Sequence, residues 1–228
     1  MKSQLTQIVQ KIDFKRSIWK RKSKDVILSM VREPKLSDLG RIYGTDKADQ
    51  KHTFNNLSYL DIYEKYFQEH RNKNISILEI GVRSGDSFRT WKSYLKNGEI
   101  YGIDTDPNSK QFEEKRIKIE IGNQDNISFL RTCFGEKTKF DIIIDDGSHI
   151  NNLTIKSFEH LFNHRLKSGG IYMIEDLRAS YRKLQTDLNI MENWPGMKYN
   201  DPSINFDNDR EDMNNFFFEK IKKLDHQQ

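Results

Sequence analysis

Two short apolar runs of this chain each end in a pair of acids: Phe140-Asp141-Ile142-Ile143-Ile144-Asp145-Asp146-Gly147-Ser148-His149, and Gly169-Gly170-Ile171-Tyr172-Met173-Ile174-Glu175-Asp176. As neighbouring parallel strands their carboxyl ends would lie roughly 5 Å apart, which brings Asp145, Asp146, Glu175 and Asp176 to one rim with His149 beside them. Carboxylate oxygens suit a hard divalent cation, and an imidazole titrates near neutral pH, so the group predicts a metal site with a general base next to it. The competing reading is that the acids cap following helices, as Asp146 before Gly147-Ser148-His149 could. A cap needs one acid per helix, and two pairs with a histidine exceed that need.

A second constellation is Leu78-Glu79-Ile80-Gly81-Val82-Arg83-Ser84-Gly85, between an apolar run and a helical pattern. Gly81 permits a tight turn, and Gly85 lets backbone come close to a ligand at a helix amino end. The spacing is not the Gly-x-Gly-x-x-Gly of dinucleotide binding, which favours a nucleoside without a pyrophosphate. Asp104 ends the next run, where an acid can accept from ribose hydroxyls. Gly122-Asn123-Gln124 ends the third, where a side-chain amide can meet an adenine edge. In this order these pieces predict a site for S-adenosylmethionine.

The elements that must position these residues alternate. Strands are expected at Ile75 to Ile80, Glu99 to Ile103, Ile117 to Ile121, Phe140 to Ile144 and Gly170 to Ile174. Helices are expected at Asp86 to Leu95, Ser109 to Lys115, Asn126 to Phe134 and Asn151 to Asn163. That alternation implies an α/β fold, Rossmann-like and doubly wound, with a mainly parallel sheet and helices on both faces. Ahead of it, Leu57, Tyr59, Leu60, Tyr63, Tyr66 and Phe67 read as a helix, and the polar stretch from Gly44 to Asn56 as a loop. After Asp176, Asn193 to Gly196 is a turn, and Asp209 to Leu224 reads as a helix carrying Met213 and Phe216 to Phe218. No closing pair of strands is visible.

The first 35 residues are expected to form a basic amphipathic helical extension, and residues 36–228 the domain that carries both constellations. The extension carries ten Lys/Arg against three Asp/Glu, net +7 in a chain of formal charge +4, which leaves −3 for the rest. The body is therefore not basic, which argues against a nucleic-acid partner. A basic amphipathic helix can lie on an anionic membrane face or dock on its own domain or a second subunit; docking is the commoner use, and a homo-oligomer is expected. At 35% hydrophobic and 32% charged the chain is polar, but fourteen Phe, nine Tyr and three Trp argue against disorder. One cysteine, Cys133, rules out an internal disulfide, and no apolar run is long enough to span a bilayer or act as a signal peptide; a cytoplasmic protein is expected.

From Gly44 to Tyr181 the chain resembles the class I S-adenosylmethionine-dependent methyltransferases. More narrowly, it is similar to the metal-dependent sugar O-methyltransferases related to the mycinamicin enzyme and to the cephalosporin-hydroxylase-like family. The residues that carry the resemblance are Gly44-Thr45-Asp46-Lys47 with His52, the run from Glu79 to Gly85, the run from Ile144 to His149, and Ile174-Glu175-Asp176-Leu177 with Ser180-Tyr181. The resemblance implies Asp146, Glu175 and Asp176 as ligands of Mg²⁺ or another divalent cation and His149 as the base. It places Glu79, Gly81, Asp104 and Asp145 nearer the cofactor.

Thr45, Asp46, Lys47, His52, Arg178 and Tyr181 are expected to line the acceptor pocket, with Arg178 or Lys47 either pairing with a phosphate or carboxylate on the acceptor or, as is commoner, simply solvated. The expected activity is methyl transfer to a hydroxyl of a saccharide or nucleotide-linked sugar, as in capsule, lipopolysaccharide or antibiotic biosynthesis. The alternatives are a catechol-like or other small-molecule diol as acceptor, or a non-catalytic cofactor-binding scaffold. Sheets of this family normally continue through two further strands. If they are missing, the fifth strand is an edge that the Phe216 to Phe218 helix or a partner subunit must cover.

Overall fold

A computed structural model describes residues 33–48, 57–181 and 208–225. The basic amino-terminal extension up to residue 32, His52 and the turn at Asn193 to Gly196 lie outside the described residues. No helix among those described is long and apolar enough to cross a membrane.

Five parallel strands form one sheet in the order β3-β2-β1-β4-β5: β1 Ser76–Ile80, β2 Glu99–Asp104, β3 Ile117–Ile121, β4 Phe140–Asp145 and β5 Leu166–Ile174. The chain reverses direction across the sheet between β1 and β4, and in open α/β sheets the crevice at that switch, outside the carboxyl ends, is where ligands bind. Ile80 pairs with Asp145, and Asp145 with Ile174, so three strands end level there.

Side-chain alternation splits the core in two. Ile77, Ile100, Ile119, Ile142 and Ile144 face helices α1 (Leu36–Tyr43), α2 (Tyr59–Phe67) and α3 (Asp86–Tyr94), meeting Leu39, Leu60, Phe67, Phe88 and Trp91. Leu78, Ile80, Ile103 and Ile143 face the other way, against Leu130 of α4 (Ile127–Thr132) and Leu161 of α5 (Asn151–His164). The same parity puts Glu79 on the α1–α3 side and Asp145 on the α5 side.

Two expected helices differ from the sequence reading. In place of Ser109 to Lys115 there is a 3-10 helix, Pro107–Phe112, started by the Asp106 carboxylate accepting from the Asn108 N–H. It stops because Glu113 is extended and Arg116 takes φ 69° to enter β3. The segment has no apolar stripe to hold a full helix against the sheet. The helix expected over Asn126 to Phe134 is shorter, with Asn126 as its cap and Phe134 and Gly135 both at positive φ beyond its end.

Among the described residues β5 pairs with β4 alone. Helix α6 (Arg210–Asp225) packs on a flank: Phe216 meets Phe158 of α5 at 5.3 Å, and Phe158 meets Tyr172 of β5 at 4.7 Å. It reaches the face of the sheet through α5 and does not pair with the edge of β5.

Candidate functional site

The carboxyl ends of β1, β4 and β5 deliver Gly81, Asp146 and Glu175 to one place. Gly81 has φ 93°, and a Cβ there would run into the Asp146 carbonyl oxygen. The β1 and β4 ends therefore touch through backbone. Gly81→Ala is expected to cost about 1–3 kcal/mol, the usual range for forced local backbone strain. Chemical denaturation measures it, and a loss below about half a kcal/mol would mean that the turn relaxes around a side chain.

The acids divide into two groups around Asp146. Asp146, His149 and Asp176 each offer a ligand atom, all within 4.8 Å of one another; Glu79, Asp146 and Glu175 do the same. His149 Nε2 lies 3.6 Å from Asp146 Oδ1 and 3.9 Å from Asp176 Oδ2. Both His149 (φ 56°) and Asp176 (φ 50°) occupy the left-handed region, a strain that folds keep mainly where a side chain must be aimed. Asn208, just ahead of α6, fixes the histidine loop by donating to the carbonyls of His149 and Ala179, both at 2.9 Å, while its side-chain oxygen accepts from the Asn151 N–H.

In the second group the expectation for Lys47 is corrected. It does not sit in solvent: its side chain is 3% exposed at the inner end of the cleft, with Nζ 2.8 Å from Glu175 Oε1, 3.2 Å from Glu79 Oε1 and hydrogen-bonded to Asp146 Oδ2. Burial alone would lower its pKa, but the three carboxylates outweigh that and hold the ammonium charged. Glu175 is pushed up to about 8, by burial first, with Asp146 and Glu79 adding to it and Lys47 opposing. Burial likewise raises Glu79, against the pull of Lys47 and the hydrogen bonds donated by Trp91 Nε1 and Ser87 Oγ.

Helix α2 supplies two residues that the sequence reading treated only as packing. Tyr63 donates to Glu175 Oε1 at 2.8 Å, and Tyr59 donates to Asp176 Oδ1 at 3.1 Å while its oxygen accepts the Asp176 N–H. Their separation of four residues puts both on one helix face, with the rings stacked 6.2 Å apart, so each phenol meets one acid of the β5 pair. A Ser58/Asp61 capping box sets the start of that helix. The i, i+4 tyrosines were the available signal.

The remaining expected residues fall as follows. Asp145 is buried and pushed up to about 6, chiefly by burial; Ser157 Oγ donates to it at 2.8 Å and Gln124 Nε2 at 3.3 Å. Gln124 is corrected: its amide is used at both ends, its oxygen accepting from the Ser148 N–H, so it clamps the β3 and β4 ends together and offers no edge to an adenine. Asn123 is exposed at that rim. Asp104 accepts from the N–H groups of Val82, Arg83 and Asp106, fixing the glycine turn from below. Gly85 has φ 72°, and a Cβ there would meet the Phe112 ring at 2.7 Å, so its close neighbour in the structure is a side chain. Arg178 pairs with Asp176 at 3.6 Å. Tyr181 closes the 3-10 turn Leu177–Tyr181, and its side chain lies outside the described residues.

Thr45 and Asp46 reach the site from the segment after α1. With Lys47, Gly81 to Ser84, Asp86 and Asp146 they line a cleft of about 280 Å³. The glycine turn and Asp146 of the acidic rim thus open on one cleft.

The donor set fits a hard divalent cation. Three carboxylates, Glu79, Asp146 and Glu175, stand around one ammonium, and a fourth, Asp176, joins Asp146 and His149 beside them, so the oxygen ligands outnumber the single cation. Asp146 and Asp176 face one another across the histidine, whereas Glu175 is turned toward Lys47 and Tyr63.

No protein-family profile matches the chain. It is 37% identical over 172 residues to mycinamicin VI 2''-O-methyltransferase of Micromonospora griseorubida, across 72% of this chain and 38% of that protein. Demethylmacrocin O-methyltransferase of Streptomyces fradiae is 36% identical over 171 residues, again across 72% of this chain and 38% of the relative. The solved structure of the MycE methyltransferase from the mycinamycin biosynthetic pathway, in complex with Mg, SAH and mycinamycin VI, matches with a TM-score of 0.58 at 38% identity, covering 66% of this chain and 41% of that one. The chain spans about two fifths of the length of the curated relatives it matches.

Proposed function

The chain is related to the S-adenosylmethionine-dependent sugar O-methyltransferases, and from that kinship and the site we propose that it methylates a hydroxyl of a sugar-containing small molecule with help from a divalent cation. One observation carries the reading: Asp146, His149 and Asp176 converge beside the glycine turn at the β1/β4 switch. Mg in the mycinamycin-pathway enzyme makes Mg²⁺ the first cation to consider.

Methyl transfer from a sulfonium is an in-line displacement, so the acceptor oxygen must be held on the axis of the breaking bond and relieved of its proton. Asp146 and Asp176, with Glu175 behind them, would hold the cation, whose contribution is to stabilise negative charge growing on the acceptor oxygen. His149 takes the hydroxyl proton at Nε2. Tyr59 and Tyr63 keep the two β5 acids from rotating, and Asn208 keeps the histidine loop in its strained turn. Asp104 holds the Val82 and Arg83 amides, so the donor meets a fixed turn.

The test is transfer of labelled methyl from S-adenosylmethionine to a glycosylated macrolide or a nucleotide-linked sugar. A chelator is expected to abolish turnover and Mg²⁺ to restore it. Full activity in chelator would remove the cation, and transfer to catechols in preference to sugars would replace the acceptor class.

A further inference from the structure

The two groups of acids adjoin through one shared carboxylate. Asp146 turns Oδ2 to the Lys47 ammonium and Oδ1 toward His149 Nε2 at 3.6 Å, so each of its oxygens serves a different group. A carboxylate that faces two cation positions at once is the layout of sites that hold two metal ions about 3.5–4 Å apart. Here the outer group, Asp146, His149 and Asp176, is partly exposed, and the inner group, Glu79, Asp146 and Glu175, already surrounds a positive charge.

The inner group is built to hold a cation. Glu79 is 0% exposed. Its Oε2 accepts from Ser87 Oγ and Trp91 Nε1, whereas Oε1 accepts no hydrogen bond and faces Lys47 Nζ at 3.2 Å. A buried carboxylate oxygen without a donor is tolerated only against a positive charge. Lys47 is delivered there from the 3-10 turn Asp46–Ala48, where Thr45 Oγ1 accepts the Lys47 N–H at 3.4 Å. Being part of the chain, this ammonium does not exchange with ions in solution.

We propose that the Lys47 ammonium is a built-in substitute for a second metal ion: it fills the inner group, so the site takes one divalent cation where its acids alone would take two. The inference rests on the divalent-cation reading of the outer group. Part of the negative charge of the rim is then neutralised permanently, and the exchangeable ion is confined to the outer group beside His149.

The experiment counts Mn²⁺ on the full chain by calorimetry and reads its surroundings by electron paramagnetic resonance, in which two ions sharing a carboxylate couple and a lone ion does not. The parent is expected to take one equivalent, uncoupled. Lys47→Ala removes the charge and leaves room for an ion with its water, and is expected to take two, coupled. Adding Glu79→Gln to that variant should return the count to one, which locates the second ion in the inner group. Mn²⁺ should also restore the resistance to urea that Lys47→Ala loses. If that variant unfolds without metal, refolding in Mn²⁺ to the coupled two-ion state is the same result, and failure to refold would overturn the substitution. Two coupled ions in the parent would overturn it too, as would a folded Lys47→Ala that takes one ion or a second ion uncoupled from the first. A parent that binds no Mn²⁺ removes the divalent-cation reading and this inference with it, whereas one ion in both parent and Lys47→Ala removes the role of Lys47 alone.

Discussion

His149→Ala is expected to lower turnover by about a hundredfold or more while S-adenosylhomocysteine still binds with its original affinity. The separation follows from position. His149 lies on the loop after β4, on the Asp146/Asp176 side, with Nε2 3.6 Å and 3.9 Å from those acids, whereas the glycine turn and Asp104 stand on the side proposed for the cofactor. Its backbone is fixed independently of the ring, because Asn208 grips the carbonyl, so truncating the imidazole leaves the loop anchored. The pH profile carries the distinction from a merely structural role: a base removed from the acceptor side should abolish the acidic limb of kcat, whereas a misplaced loop would lower the whole profile. Unchanged turnover in the variant would transfer the proton to another group, and loss of cofactor binding would make the histidine a scaffold residue.

Much of the fold could be read from alternation. Ile142 and Ile144 point to one face and Ile143 to the other, and that parity with the following acids was enough to place the β4 and β5 ends on one rim. Parity also separates the acids: Glu79 and Glu175 fall on the α1–α3 side, and Asp145 on the side of Ser157 and Gln124. The sequence reading grouped them by type, so Asp145 joined the site on paper while its carboxylate is spent on Ser157 and Gln124. Asp146 lies one residue past β4 and Asp176 two past β5, and their directions depend on turns such as the φ 50° of Asp176, which no periodicity encodes.

Lys47 shows the opposite limit. In a polar loop it looks like any solvated lysine; only the packing of α1 and α2 against β1 reveals three carboxylates with one cation among them. The role of Gln124 was hidden for a related reason, since the three partners of its amide, Asp145, Ser148 and Ser157, all lie more than twenty residues away.

The Lys47 cluster also predicts a large change in stability. Lys47→Met keeps the length and removes the charge, leaving Glu79 and Glu175 buried without their counter-ion, and breaking a buried pair in this way costs about 3–5 kcal/mol. The sign of its pH dependence follows from Glu175. With its folded pKa raised to about 8 from an ordinary 4.5, the native state holds this proton more tightly than the unfolded chain. The group therefore costs stability progressively as pH rises from about 4.5 to about 8. Without Lys47 the pull that opposes this rise is gone, so Glu175 of the variant keeps its proton to higher pH still, and its share of the gap between parent and variant should be flat below about pH 8 and open above it. Glu79→Gln in the same background removes one stranded charge while its amide can still meet Trp91 and Ser87, and should recover part of the loss in a double-mutant cycle. Urea denaturation at several pH values reads both effects. A loss under about 1 kcal/mol, or one that does not change with pH, would mean that the carboxylates are relieved by water or protons and that Lys47 does not hold the β1, β4 and β5 ends together.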